Sequence, residues 1–395
     1  MAQIEHVQIS GLAGRDGSVS FELHSDLNVF WGANGSGKTS VLKILHAALT
    51  GDADSIVRVP FDSARVRFHG TPHGDTVTRS IKKAQQQLDE ESAESEESPW
   101  LDVIDRGMIV RQEVARASRA RWQTKPVTDG RRRYAHGYLP ISRMSDLSSV
   151  SSTTARRLTY GGSPAALNEA ELDAEFARQT MALWKEYVNQ SLQKIRRAQQ
   201  QGIAEILSAV LMGERSRKVA QDIGTDHAFE LVTSFLRSQH ISASQLTSRQ
   251  RFAANYETNH VLQSVIGRIA EIDESVQRAQ EPQQKLTDLL SAMFSGGKHV
   301  TFDTRTLAVR GGGEETIPIE SLSSGEKQMI RILLECLAAD DDCILIDEPE
   351  LSLHVDWQHR LVECMRLVNP NVQIILATHS PEVMAEIPLA KTFEL

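Results

Sequence analysis

Cysteine is scarce in this chain. Only Cys336, Cys343 and Cys364 occur in 395 residues, too few and too scattered for a disulfide framework or a zinc cluster. Two of them sit in apolar runs, which predicts buried thiols in a reducing cytosol. No apolar run reaches the length of a membrane span. A signal peptide is also missing, since Ile4 to Leu12 reads as a first strand. The expected location is therefore the cytoplasm, with no membrane partner. Basic charge is not in excess: 43 Lys and Arg stand against 52 Asp and Glu, for a net charge of −9. That argues against wholesale coating of nucleic acid and leaves room for a local basic patch. No internal repeat is visible. What is present is an ordinary hydrophobic share of 40% and a length sufficient for one large α/β domain plus an inserted module.

Four short motifs then stand out, in a fixed order. The first is Gly32-Ala33-Asn34-Gly35-Ser36-Gly37-Lys38-Thr39. The apolar run Leu27–Trp31 precedes it, and Thr39 to Leu49 follows as a helix with Val41, Leu42, Ile44, Leu45, Ala48 and Leu49 on its apolar positions. Strand, glycine-rich turn and helix are the context of a phosphate-binding P-loop. Glycines permit the backbone angles that wrap successive N–H groups around a phosphate, and the positive helix end adds to the attraction. Asn34, Gly35, Ser36, Gly37, Lys38, Thr39 and Ser40 are the expected phosphate-binding residues. Lys38 is placed to reach the β- and γ-phosphates of ATP, and the Thr39 hydroxyl to ligate Mg²⁺.

The second motif, Leu322-Ser323-Ser324-Gly325-Glu326, introduces a strong helix read as Lys327 to Ala338. Serine and glycine at a helix start can form an anion site, and Ser323, Ser324 and Gly325 are candidates for it. The third is Cys343-Ile344-Leu345-Ile346-Asp347-Glu348-Pro349-Glu350. A short apolar run ending in acids suits a buried parallel strand whose tip reaches a ligand. Asp347 is expected at the metal, and Glu348 at the attacking water as its orienting or deprotonating group. Phosphoryl transfer asks mainly for positioning and charge neutralisation, so one lysine, one metal and one carboxylate are a sensible minimum. The fourth motif, Ala377-Thr378-His379-Ser380, follows the apolar run Val372–Ala377. A histidine at such a tip can contact the γ-phosphate or fix the water. Nearly three hundred residues lie between the first motif and the others, so the chain must fold back to join its two ends.

Between the ends the composition changes twice. Residues 83–98 are polar and end acidic, with Asp89, Glu90, Glu91, Glu94, Glu96 and Glu97. A basic stretch follows from Arg106 to Arg133, including Arg111, Arg116, Arg119, Arg121, Lys125, Arg131 and Arg132. It reads equally as a nucleic-acid contact and as a solvated face neutralised by the preceding acids, since stacking aromatics are missing apart from Trp122 and Tyr134. From about Ala165 to Ser295 the pattern is helical, with apolar residues such as Leu172, Phe176, Trp184, Val188 and Leu192 at three- and four-residue steps. Strict heptads do not persist, which favours a helical bundle over a very long coiled coil. Val300 to Val309 and Thr316 to Ile319 read as strands around Gly311-Gly312-Gly313. The expected organisation is an N-terminal core part over 1–150, a helical insertion over 151–297 and a C-terminal core part over 298–395.

Taken together, these motifs resemble those of ATP-binding-cassette ATPases, in which the Leu-Ser-Gly-Gly-Gln signature of one subunit closes on the nucleotide of the other. Here Ser324 replaces the first glycine and Glu326 the glutamine. The run Asp347 to Gln358 narrows the resemblance to the branch of overcoming-lysogenisation-defect proteins and SMC-like ATPases. Within it, Ser352-Leu353-His354-Val355-Asp356-Trp357-Gln358 looks like the ATPase subunit of PARIS-type anti-phage systems. The resemblance implies an α/β fold: a P-loop core of mixed sheet flanked by helices, with an inserted helical bundle or short coiled-coil arm.

The same resemblance implies a homodimer, or a higher homo-oligomer such as a trimer of dimers, with ATP sandwiched between the P-loop and the partner's signature residues. Lys38, Glu348 and His379 take the catalytic roles, and Thr39 and Asp347 hold Mg²⁺. Related ATPases sense the metal through a glutamine near the strand Tyr138–Arg143. None occurs in that hexapeptide, which leaves Gln112 and Gln123 as candidates. Full-length overcoming-lysogenisation-defect enzymes continue into a TOPRIM nuclease, whereas this sequence stops 16 residues after His379. The expectation is a toxin–antitoxin-like arrangement: a separate effector nuclease, TOPRIM type favoured, held by the ATPase and released when a phage-encoded trigger is sensed. The alternative is an SMC-like DNA-repair ATPase acting as a DNA clamp. A transporter's nucleotide-binding subunit is disfavoured by the long helical insertion.

Overall fold

The computed structural model describes residues 2–70, 75–83, 121–126, 133–140, 169–212, 223–238, 248–294, 297–302, 307–312 and 315–395. The acidic run Asp89–Glu97 and most of the basic stretch fall outside these residues; of the latter, Arg121, Lys125 and Arg133 are described, all exposed. The chain divides into two compact units. One comprises Met1–Leu183, Met293–His299 and Ala308–Leu395, the other Trp184–Ala292 and Val300–Leu307.

The first unit contains two sheets that segregate the two modes of strand pairing. β1 (Ala2–Ser10), β2 (Ser18–Glu22), β4 (Ser63–Gly70), β5 (Asp75–Lys82) and β6 (Gln123–Lys125) form an antiparallel sheet in the order β2-β1-β4-β5-β6. β1 and β4 alternate buried and partly exposed residues, the pattern of a sheet with one face on the core. The other sheet joins β3 (Leu27–Trp31), β7 (His136–Leu139), β11 (Cys343–Asp347), β12 (Gln373–Thr378) and β13 (Thr392–Glu394), in the order β13-β3-β12-β11-β7. All of its pairs are parallel. β11 and β12 are buried at every position, as their uninterrupted apolar runs require.

α1 (Lys38–Thr50) is packed into a core shared with strands of both sheets. Val41, Leu42, Ile44, Leu45 and Leu49 have no exposure, each stabilising the fold by about 1.5–3 kcal/mol. The buried Arg79 guanidinium donates to the carbonyls of Ala48 at 2.5 Å and Leu49 at 3.2 Å, closing the negative end of this helix. α6 (Ser324–Ala338), α7 (Val355–Val368) and the short α8 (Pro381–Met384) complete the C-terminal part. α6 starts three residues before the expected Lys327. Ser323 caps it, and Glu326 returns the bond to the Ser323 backbone, a reciprocal capping box. All three cysteines are buried.

The second unit is mainly helical. α2 (Glu169–Met212) and α5 (His260–Met293) are long, with α3 (Thr225–Ser238) and α4 (Arg249–Thr258) between them in sequence. Within the unit α2 and α5 run antiparallel: Ser191 bonds the Ala279 carbonyl at 3.3 Å, and Glu205 pairs with Arg268 at 3.2 Å. A Cβ at Gly202 would lie 2.2 Å from Ile272, so only glycine permits this approach of the two helices. Ala228, Phe252, Tyr256 and Ile266 form a separate small core. Trp184, without exposure, packs against Phe302 at 4.6 Å between ring centroids. The expected strand Val300–Val309 is divided between β8 (His299–Phe302) and β9 (Leu307–Arg310); from Ala308 the chain belongs to the first unit, where β9 pairs with β10 (Thr316–Ile317). Among the described residues, no helix is long and apolar enough to cross a membrane.

Candidate functional site

Register decides where the functional side chains meet. β3 pairs with β12 so that Trp31 stands beside Thr378, and β12 pairs with β11 so that Ala377 stands beside Asp347. Three parallel strands thus end level, at the edge where ligands gather in α/β sheets. The loop after β3 carries Gly32 to Gly37, the tip of β11 carries Asp347 and Glu348, and the tip of β12 carries His379. The two ends of the chain meet here as the motif order requires.

The loop needs its glycines. Gly37 has φ of 105°, and a Cβ there would lie 3.0 Å from Leu12. Gly32 has φ of 151°, and its Cβ would lie 2.7 Å from the Leu395 carbonyl. Gly37 occupies the N-cap of α1 and offers no side-chain cap, so the helix start is left to an external anion. Asn34 and Gly35 are exposed, Thr39 and Ser40 half-buried, and Ser36 is buried with its hydroxyl unpartnered. Lys38 is 5% exposed. Its ammonium donates to the carbonyls of Gly32 at 2.9 Å and Ala33 at 3.2 Å and lies 3.9 Å from Glu348.

Asp347 is 2% exposed, and neither carboxylate oxygen has a hydrogen-bond partner. Burial pushes its pKa up to about 6; the adjacent Thr39 hydroxyl, Lys43 and Lys38 oppose the rise, and Glu348 adds to it. Two unpartnered buried oxygens beside a phosphate-binding loop and a threonine hydroxyl form a hard oxygen donor set that fits Mg²⁺. Glu348 adopts φ of 50°, a conformation that costs a non-glycine residue on the order of 1 kcal/mol or more and tends to occur at functional sites. Burial and the neighbouring Glu350 hold its carboxyl above the usual range, while His379 opposes them. The His379 imidazole, 47% exposed, contacts Glu348 through Nδ1 and lies 3.2 Å from Glu350.

Glu350 was not singled out as a site residue by its sequence, yet it organises this corner. It is 6% exposed. One oxygen accepts from the Thr378 hydroxyl at 2.6 Å and from the backbone N–H groups of His379 at 3.0 Å and Ser380 at 3.2 Å. Ligand atoms of Glu348, Glu350 and His379 lie within 4.8 Å of one another. The only legible signal was a second glutamate two residues after the first; its role depends on the adjacent strand.

The signature residues sit on a different element. Ser323 and Ser324 are exposed and Gly325 is buried. The Ser323 hydroxyl and N–H both engage Glu326, which also accepts from Lys298 at 2.7 Å. Burial raises the Glu326 pKa, but Lys298 and Ser323 outweigh it and leave the carboxyl below its ordinary range. A Cβ at Gly325 would lie 2.7 Å from the Ser352 carbonyl, which fixes the helix start against the loop after β11. Gln123 lies exposed on β6, the edge of the antiparallel sheet, and not on the parallel sheet whose tips form the site. Gln112 is outside the described residues.

Comparison with known proteins supplies a family. A family model described as "AAA domain" matches residues 6–294, and a second, described as "AAA domain, putative AbiEii toxin, Type IV TA system", matches residues 222–385. The chain is similar to "Retron Vc95 probable ATPase" of Vibrio cholerae serotype O1 biovar El Tor, 29% identical over 36% of this chain and 28% of that protein. It is also similar to "Septu protein PtuA" of Bacillus thuringiensis, 35% identical over 24% of this chain and 26% of that protein. The chain thus spans little more than a quarter of the length of these relatives. A solved Smc head domain with an extended coiled coil, from Pyrococcus furiosus, aligns at a TM-score of 0.41 and 14% identity over 98% of this chain and 92% of that one. With the family model covering more than half its length, the chain belongs to the AAA domain family.

Proposed function

We propose that this chain is the ATP-binding and ATP-hydrolysing sensor and scaffold subunit of an anti-phage defence system, pairing with a second copy through ATP and controlling a separate effector nuclease, TOPRIM type favoured. The observation that carries the ATPase part is the meeting of Lys38, Asp347, Glu348 and His379 at three level strand tips beside an uncapped helix start. The backbone of Asn34 to Ser40 holds the phosphates. Thr39 and Asp347 would hold Mg²⁺, which would supply charge neutralisation for the phosphates. Lys38 leaves the Gly32 and Ala33 carbonyls for the phosphate. Glu348, whose raised pKa suits a base, orients and deprotonates the attacking water. His379 steadies Glu348 and the γ-phosphate. Ser323, Ser324 and Gly325 of a second copy close over the same phosphate.

The defence role is supported by the resemblance of the run Ser352–Gln358 and by two relatives named for a retron and for Septu. The effector and a phage-encoded trigger remain part of the proposal, as does any nucleic-acid contact through Arg106–Arg133. Steady-state phosphate release tests the enzymatic core. Lys38→Ala is expected to lose nucleotide binding. Glu348→Gln is expected to bind ATP normally and hydrolyse it at least about 100-fold more slowly. Parental turnover in Glu348→Gln contradicts the role given to that residue. Co-purification from the native operon tests the partner: a TOPRIM protein supports the reading, and an HNH protein points instead to a Septu-type system.

A further inference from the structure

Two buried polar groups of the parallel sheet lack hydrogen-bond partners and face the same way. One is Asp347. The other is the hydroxyl of Tyr138 on β7. β7 runs parallel to β11, with Tyr138 beside Leu345 and Leu139 beside Ile346. Side chains two residues apart on a strand share a face, so Tyr138, Leu345 and Asp347 project together. The Tyr138-to-Asp347 diagonal is about 7–8 Å between backbones, a span an aromatic side chain covers.

That face meets α1. The Tyr138 ring stacks on His46 with centroids 4.3 Å apart and an interplanar angle of 22°. Thr39, Lys43 and His46 recur along α1 at the spacing of a single helical face. The stripe that begins at Thr39 therefore ends at the platform holding the tyrosine ring. The platform is itself anchored. His136 Nδ1 donates to the Tyr134 carbonyl at 2.9 Å, which leaves Nε2 to accept from His46 Nδ1 at 2.8 Å. Burial and His136 push the His46 pKa down to about 4, so the platform stays uncharged at neutral pH. Burial and the charge of Asp347 raise the Tyr138 pKa, so the phenol keeps its proton and its oxygen stays a neutral acceptor.

Buried oxygens with no partners on one sheet face are what a hydrated cation satisfies, since the metal and its waters both seek acceptors. We propose that Tyr138 is a positioning residue for the divalent cation of the nucleotide site, its hydroxyl oxygen accepting from a water on the metal held by Thr39 and Asp347. The proposal rests on the reading of this site as one for Mg²⁺ and nucleotide. It gives β7 a direct link to metal occupancy. A tyrosine serving only as core packing leaves metal affinity unchanged when its hydroxyl is removed.

The test is Tyr138→Phe, which keeps the ring and its stack on His46. Protein freed of metal is loaded with ADP, and Mn²⁺ binding is followed by electron paramagnetic resonance. Binding of a fluorescent ADP analogue in EDTA and the melting temperature are measured alongside. Mn²⁺ affinity is expected to fall about 10-fold or more, with metal-free nucleotide affinity and Tm unchanged. Hydrolysis is expected to require correspondingly more Mg²⁺ and to recover at saturating Mg²⁺. Unchanged Mn²⁺ affinity in Tyr138→Phe, with normal uptake by the parent, overturns the role of Tyr138 alone. Equal weakening of nucleotide binding in EDTA also overturns it, because the hydroxyl then acts on nucleotide or fold. A parent that takes up no Mn²⁺ with ADP overturns the nucleotide-site reading as well.

Discussion

Glu350 offers the sharpest separation of geometry from charge at this site. Its single accepting oxygen serves three donors, and two of them are backbone N–H groups. Glu350→Ala leaves all three without that acceptor in a buried corner. Each orphaned buried donor costs about 1–3 kcal/mol. Thr378 can rotate, and Ser380 N–H keeps a second acceptor in Thr378 Oγ1 at 3.0 Å, so the combined loss is set near the low end, at about 3 kcal/mol. For a unit of this size, that lowers Tm by roughly 6–12 °C.

Glu350→Gln keeps the accepting oxygen. Its new amide replaces an oxygen that has no hydrogen-bond partner. Stability is therefore retained to within about 1 kcal/mol. The substitution also removes a carboxylate that holds the Glu348 pKa up, so the alkaline-going rise of turnover moves to lower pH. Differential scanning fluorimetry in EDTA measures the first effect, and a pH–rate profile the second. If Glu350→Ala melts within about 1 °C of the parent, Glu350 does not organise the β12 tip and the argument fails.

Asp347 gives a pH-dependent prediction. Its folded pKa of about 6 exceeds the ordinary 3.8, so ionisation costs the metal-free fold stability, and the cost grows as pH rises through this window. Linkage sets it at about 3 kcal/mol at pH 7.5 and roughly half that at pH 5. Asp347→Asn is thus expected to raise Tm in EDTA more at pH 7.5 than at pH 5 while abolishing turnover; an equal or smaller gain at pH 7.5 contradicts the assignment. Gly325→Ala adds a residue of better helix propensity by about 1 kcal/mol, yet places a Cβ 2.7 Å from the Ser352 carbonyl. Overpacking against backbone costs about 1–3 kcal/mol, so Tm is expected to fall; a rise in Tm shows that the Ser352 loop yields freely.

The parts of the site written in contiguous residues were legible in the sequence. Gly32 to Thr39, Asp347-Glu348 and His379 each stand in a short contiguous pattern that can be picked out without the fold, and the structure places them at adjoining strand tips. Glu350 was not legible because its partners arrive from β12, and only the register of that strand turns a second acid into a bracket for His379. Tyr138, His46 and His136 look like ordinary core residues of a strand and a helix; their relation exists only once β7 lies beside β11. Helix extents were blurred for a similar reason. The stretch read as helical from about Ala165 to Ser295 contains, among the described residues, α2, α3, α4 and α5, and Gly202 lies inside α2, where it admits Ile272. The start of α6 was read late because the capping box at Ser323 and Glu326 makes the signature itself the first turn.

The account turns on a nucleotide pocket completed by a second copy of the chain, and mixing two inactive variants tests it most directly. Lys38→Ala lacks the phosphate lysine but keeps its signature residues. Ser324→Glu keeps the P-loop, and an acid at this exposed first helical position suits the helix dipole while repelling the γ-phosphate. An isologous pair of the two variants contains one intact composite pocket, so an equal mixture is expected to recover about a quarter of the parental ATPase rate. A mixture no more active than the sum of the two variants alone contradicts the shared pocket.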